Sequence, residues 1–457
     1  MKALQLQRIL HGPRRAPARA PPVLGRPDVD VIMSRTIVAA LAALALAAPA
    51  ASADVGDDCA PLGTQVQTTA CHGADVLARD AGALAADNDP AVAAHERSWT
   101  HRALAFQYAL GGDVPLRDAP WLGTHNSFNS IAEMGPTVSD MDSNQQLTLV
   151  QQLRVDMRSL ELDVHWFPSP RGGGMAPVVC HAEGSAGCSA EKTLGETLKP
   201  IGAWLRAHDD QVLLLYLENQ LGGAEGDDAA SAAIEHEIGD LVYRPQGPAG
   251  ECVDYPKAAT RDDVLAAGRQ VIIVSNCGTG ASWRSWSFGW SDHKETRPVG
   301  FSCHADFTQE DYDSTIVRYF EDDTWLTSAA SNTPAASRDD GIDAATAAEM
   351  TRCGVDLLGF DQLAASDDRL DAVVWSWAPG QDPGARCGAQ RPADGRWVAA
   401  PCRAHHRFVC RTGSGFSLSR KRARGDRPPS GCGLPRTGRE NEQARAAAGG
   451  RTVWLAL

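Results

Sequence analysis

Glu161 and Asp163 stand two apart in the run Leu160-Glu161-Leu162-Asp163-Val164, so in a strand both side chains point to one face. With Glu218 and the side-chain carbonyl of Asn126 they make three carboxylates and one amide oxygen. That is a hard donor set, suited to Ca2+, less to Mg2+, and not to zinc. Crowded without a cation, three carboxylates repel and raise one another's pKa. His125 and His181 add the side chain best poised to move protons near neutral pH. Two imidazoles beside a divalent cation are what phosphodiester cleavage needs. One removes a proton from the nucleophile, the other protonates the leaving alkoxide, and the cation neutralises charge on the phosphoryl oxygens. Asp361 is the carboxylate expected to orient and charge-stabilise one histidine.

These residues are spread from 125 to 361, so only a fold that gathers the ends of several elements can unite them. Strand-like apolar runs occupy 120–124, 159–165, 177–181, 212–218, 271–275, 299–303, 357–361 and 372–377. Helical patterns lie between several of them. The clearest has Leu194/Leu198 and Ile201/Leu205 on one face; 145–153, 229–243, 312–320 and 344–353 also read as helices. Strand–helix alternation implies a parallel sheet, and eight strands imply an α/β fold of the (β/α)8 type, a TIM-like barrel or a distorted relative. His125 and Asn126 then follow the first strand, and Glu161, Asp163 and His165 end the second. His181, Glu218 and Asp361 end three others. All fall at carboxyl ends of strands, the face that carries barrel active sites.

Charge and cysteines bound the setting. The chain has 457 residues and a net charge of −14. Residues 54–412 alone hold 27 basic against 52 acidic groups, which excludes nucleic acid as a partner and suits divalent cations. Residues 1–53 read as a leader and signal peptide. Met33-Ser34-Arg35 precedes an apolar run over 37–48 and an Ala51-Ser52-Ala53 exit, with cleavage expected after Ala53 and 1–32 reading as an early start. That run is too short for a span, so a secreted, extracellular monomer without a transmembrane segment is expected. The twelve cysteines contain no CxxC pair, which favours disulfides in an oxidising compartment. Neighbour pairing gives Cys59–Cys71, Cys180–Cys188, Cys252–Cys277, Cys303–Cys353 and Cys387–Cys402, with Cys410 left over. Residues 54–117 read as an extension packed on the barrel (118–380), and 381–412 as a disulfide-stapled cap. The Arg-, Gly- and Pro-rich stretch 413–457 reads as a disordered basic tail.

Gly123-Thr124-His125-Asn126-Ser127, Leu160-Glu161-Leu162-Asp163-Val164-His165, Val179-Cys180-His181 and Leu215-Tyr216-Leu217-Glu218-Asn219 resemble, in order and spacing, the catalytic X-region of phosphatidylinositol-specific phospholipases C. The resemblance runs from about 118 to 378. It implies His125 as general base for the inositol 2-hydroxyl and His181 as general acid for diacylglycerol. It implies Asn126, Glu161, Asp163 and Glu218 as ligands of Ca2+, as in the calcium-dependent members, and a phospholipid at a membrane surface as substrate. No counterpart of the family's basic residues for inositol phosphates is found. Cys387…Gly395-Arg396-Trp397…Cys402…Phe408-Val409-Cys410 resembles the closing quarter of a C-type lectin-like domain, without its carbohydrate-binding tripeptide. Two other functions compete: a Mg2+-dependent glycerophosphodiesterase or sphingomyelinase D-type barrel, and a non-catalytic extracellular carbohydrate- or lipid-binding protein. Asn126 directly after the first histidine favours the phospholipase pattern over the sister barrels, and a complete set of acids and histidines argues against a mere binder.

Overall fold

The computed structural model describes residues 89–457 except 135–142, 182–191, 249, 291–292, 297, 299, 323–340, 382 and 414. The leader and signal peptide expected over 1–53 and the expected Cys59–Cys71 pair lie outside the described residues. The central sheet is built from β1 (Trp121–Thr124), β2 (Ser159–Pro168), β3 (Met175–Val179), β4 (Lys192–Thr193), β5 (Leu213–Gln220), β6 (Val271–Ser275), β7 (Phe288–Gly289), β8 (His293–Thr296), β9 (Val317–Glu321) and β10 (Leu357–Phe360). Eight of these run parallel in the order β7-β6-β5-β2-β1-β10-β9-β8, curled as a distorted TIM-like barrel.

Alternation along the strands sets the two faces of the sheet. Trp121, Leu214, Ile272, Val274, Val317 and Leu357 pack together inside the curl. Leu160, Leu162, Leu213, Leu215, Leu217 and Ile273 face outward onto Leu198, Ile201 and Leu205 of helix Leu194–Ala207 and Ile234 and Ile238 of helix Ala224–Ile238. Burial on both faces is why β5 and β6 read as continuous apolar runs. A reciprocal capping box between Thr193 and Glu196 starts the first of these helices.

The barrel differs from the sequence expectation at three of its strands. The run at 177–181 is not a barrel strand, because β3 turns back and pairs antiparallel with β2, Val164 opposite Val179. The run at 299–303 gives way to a helical turn at Cys303–Asp306. Residues 372–377 form no strand; Trp375 and Trp377 instead pack against Trp397 in the C-terminal region. β7, β8 and β9 fill the barrel in their place. The helix expected over 312–320 ends at Ser314, and Val317 begins β9.

Helices Pro90–Glu96 and Trp99–Leu110 cover the amino ends of the strands; there the Tyr108 hydroxyl accepts from the Val212 N–H at 2.7 Å. His95 Nε2 and His101 Nδ1 both approach the Asp156 carboxylate, at 2.8 and 3.0 Å. The hydrogen bond to Asp156 raises the His101 pKa against the effect of burial. A histidine raised in the folded state stabilises fully below its unfolded pKa, about 6.5. That contribution is lost as pH rises through the folded value. Asp156 has φ +73°, a left-handed conformation that asparagine tolerates. Asp156→Asn is therefore expected to cost about 1–3 kcal/mol at pH 6 and clearly less at pH 8.5, as urea unfolding at the two pH values would show.

The basic stretch expected to be disordered is folded. Val409–Thr412 pairs with Gly415–Leu418, a helix spans Gly438–Ala448, and Val453–Trp454 joins Gly388–Gln390. Cys410 is not left over but bonds Cys432, while Cys252–Cys277, Cys303–Cys353 and Cys387–Cys402 pair as neighbours. Cys180 is disulfide-bonded; Cys188 lies outside the described residues. The helix buries Ala444 and Ala448, residues too small to make a periodic apolar signal. It also buries Asn441, which accepts from Trp397 Nε1 and Gln390 Nε2 at 2.8 Å and donates to the carbonyls of Trp375 and Gly395. Asn441→Ala strands several buried donors and acceptors and is expected to cost about 2–4 kcal/mol, read as a lowered urea midpoint.

Candidate active site

β1 ends at Thr124, and the chain turns at once through Asn126, whose φ of +43° is left-handed. That turn is tied to β2: the Asn126 N–H donates to the Glu161 carboxylate at 3.2 Å, and the Glu161 N–H donates to Ser127 Oγ at 2.8 Å. Gln145 Nε2 donates to the carbonyls of His125 and Phe360, pinning the same turn to β10. His125 is thereby held with Nδ1 3.2 Å from the Asp361 carboxylate, which is fully buried. Its Nε2 lies 3.1 Å from Asn126 Nδ2. In the neutral ring, Nδ1–H donates to Asp361 and the basic lone pair is on Nε2.

β2 and β5 are in register with Glu161 beside Tyr216 and Asp163 beside Glu218. The carboxylate oxygens of Glu161, Asp163 and Glu218 accordingly lie within 4.8 Å of one another. Asp163 Oδ1 is buried with no hydrogen-bond partner. His181 directly follows Cys180, whose N–H donates to the Asp163 carbonyl at 3.1 Å, and its Nδ1 is 3.4 Å from Asn129 Nδ2.

His125, Asn126, Glu161, Asp163, His181 and Glu218 line one cavity of about 600 Å³ at the carboxyl ends of the strands. Asp361 stands behind His125. The structure thus brings together these seven residues, and His165 lines the same cavity. It also adds residues that were missed: Gln220 at the end of β5, His293 and Glu295 from β8, and Tyr319 and Glu321 from β9. Glu321 groups with His125 and Glu161 within 4.8 Å. Gly359 on β10 leaves this corner open, since a Cβ there would sit 3.3 Å from Glu321 and 3.6 Å from His125. The alternation Val317, Tyr319, Glu321 was the available signal, hidden under a helical reading of 312–320.

Burial and the neighbouring Glu321 raise Glu161 well above the carboxylate range; burial, then Glu161 and Glu218, do the same to Asp163. Burial pushes Glu321 up to about 7. Burial works against a charged His125, yet Asp361 and the acids outweigh it and raise its pKa well above the usual value. Among the described residues lining the cavity none is Lys or Arg. An oxygen-rich cluster with an orphaned carboxylate oxygen and no Lys or Arg beside it fits a hard divalent metal. Glu161, Asp163, Glu218 and the amide oxygen of Asn126 would hold it.

Two Mycobacterium tuberculosis proteins, the uncharacterized proteins Rv2075c and MT2135, are each 38% identical to this chain over 388 residues, 78% of this chain and 79% of theirs. Among solved structures, a Staphylococcus aureus phosphatidylinositol-specific phospholipase C mutant aligns at 10% identity and TM-score 0.42, over 61% of this chain and 98% of that one. The calcium-dependent phosphoinositol-specific phospholipase C of a Pseudomonas species aligns at 12% identity and TM-score 0.32, over 56% and 94%. Residues 84–367 match the family model of the Rv2075c PI-PLC-like domain, and with those relatives the match places the chain in the family of Rv2075c PI-PLC-like domains.

Proposed function

We propose that the protein is an exported, Ca2+-dependent phosphodiesterase that cleaves phosphatidylinositol or a related phospholipid by general acid–base catalysis. The observation that carries this reading is the convergence of His125, His181 and three carboxylates on one cavity at the carboxyl end of the barrel. Disulfides throughout the described residues support an oxidising destination. No helix of those residues is long and apolar enough to cross a membrane.

His125 Nε2 takes the proton from the inositol 2-hydroxyl as its oxygen forms a bond to phosphorus. The bond from phosphorus to the diacylglycerol oxygen breaks, and His181 returns a proton to that oxygen, leaving a cyclic phosphodiester and diacylglycerol. Asp361 fixes the His125 tautomer and stabilises the imidazolium that forms. A bound divalent cation supplies charge neutralisation at the phosphoryl oxygens and a lowered hydroxyl pKa. Asn126 orients the imidazole through its Nδ2 contact.

The test is a panel of phospholipids assayed with and without chelator, with products identified by phosphorus NMR. Cyclic inositol phosphate as the first product, formed only with Ca2+, is the expected result. Glycerol phosphate or a cyclic ceramide phosphate would assign the protein to the sister barrels. No turnover of any phosphodiester would leave the binding module.

A further inference from the structure

A second cavity, of about 830 Å³, lies at the other end of the barrel. Its wall forms where the strands begin, at Trp121 in β1, Arg158 just before β2, Gln211 just before β5 and Asp356 just before β10. Tyr108 of the N-terminal helices and Arg261 close it.

Arg261 is only 2% exposed, and both Nε and Nη1 have no hydrogen-bond partner. Its Nη2 donates to the Tyr108 carbonyl at 2.7 Å. The guanidinium stacks 3.7 Å from the centre of the Tyr108 ring, and the Arg158 guanidinium lies 5.7 Å from the same centre. Arg158 donates to neutral acceptors, the Gln211 side chain and the carbonyls of Leu153 and Met157. Burial, with Arg261 alongside, keeps its pKa below the usual value.

Among the described residues no carboxylate around the cavity hydrogen-bonds either guanidinium, and Asp156 and Asp210 act on Arg158 only through space. Glu96 pairs with Arg154, Asp118 and Asp356 pair with Arg318, and Glu440 pairs with Arg436. Asp156 is shared by two histidines, and Asp210 and Asp262 are exposed. A buried guanidinium with two orphaned donors and a half-buried one share one aromatic ring, and the charge of a buried cation left without an anionic hydrogen-bond partner is costly. Their planar forks match the oxygens of a tetrahedral anion.

We propose that this cavity binds a small phosphate-bearing anion, free phosphate or a phosphate monoester, between Arg158 and Arg261. The probe is inorganic phosphate, titrated into the full chain in EDTA at ionic strength matched with chloride. Tryptophan fluorescence reads the site through Trp204, whose ring lies 4.9 Å from the Arg158 guanidinium. A saturable change is expected, weakened at least about tenfold in Arg261→Gln and unaltered in Glu161→Gln, which separates it from the catalytic cavity. Arg158→Gln gives the same test if Arg261→Gln does not fold. Competition by glycerol 3-phosphate below the phosphate concentration assigns an ester as occupant, and weaker competition assigns the free ion. A linear response no different from chloride, or an affinity in both arginine variants equal to that of the wild type, overturns the site.

Discussion

His125→Gln is expected to lower kcat on phosphatidylinositol by about 10²–10⁴-fold while the protein stays folded. Glutamine keeps a donor for Asp361, which is fully buried beside Nδ1, so the loss reports Nε2 rather than a stranded carboxylate. The His181→Ala variant should fall by a similar factor on the lipid. On a substrate whose leaving group needs no proton, such as an inositol aryl phosphodiester, His181→Ala should recover much of its rate and His125→Gln should not. Equal behaviour of the two variants on both substrates would remove the division into base and acid.

The second large effect concerns the cation. Chelation should abolish turnover and added Ca2+ restore it. Glu161→Gln or Asp163→Asn should lower activity by about 10³-fold or more, since a bound cation is worth several kcal/mol of transition-state stabilisation. Stability should move the other way. Burial and neighbouring carboxylates raise the pKa of Glu161 and Asp163 well above the usual range because they oppose the charged forms, so neutralising one relieves the cluster when no cation is present. Without Ca2+ the variants should melt at or above the wild-type temperature. With Ca2+ the wild type should rise and the variants should not. Full activity in excess EDTA would return the site to metal-free chemistry.

Residues were legible in the sequence where one physical demand dominated. β1, β2, β5, β6 and β10 are buried on both faces, and their apolar runs announced them. The polar residues interrupting or ending those runs, Glu161, Asp163, Glu218 and Asp361, therefore stood out. β8 and β9 carry His293, Lys294, Glu295, Arg318 and Glu321. Charged residues that line the site or pair internally, such as Arg318 with Asp356, erase the strand signal, and Glu321 vanished with it. β3 shows the limit of a local pattern: its residues fit a strand, but nothing in them says whether it runs parallel to its neighbour. The Ser169–Gly174 turn, with Gly172, Gly173 and Gly174 at positive φ, is what reverses the chain. The C-terminal helix was missed because it is buried through alanines and one asparagine rather than through a stripe of large side chains.

The position of β1 between β2 and β10 bears on how the chain reaches its fold. Trp121 pairs with Leu357, so one edge of β1 stays without a partner until more than two hundred further residues have been made. Pairings of that span are slow, and an open edge of Trp121, Leu122 and Gly123 is a template for the wrong strand in the meantime. A nascent chain held extended until residue 360 is free would escape this hazard.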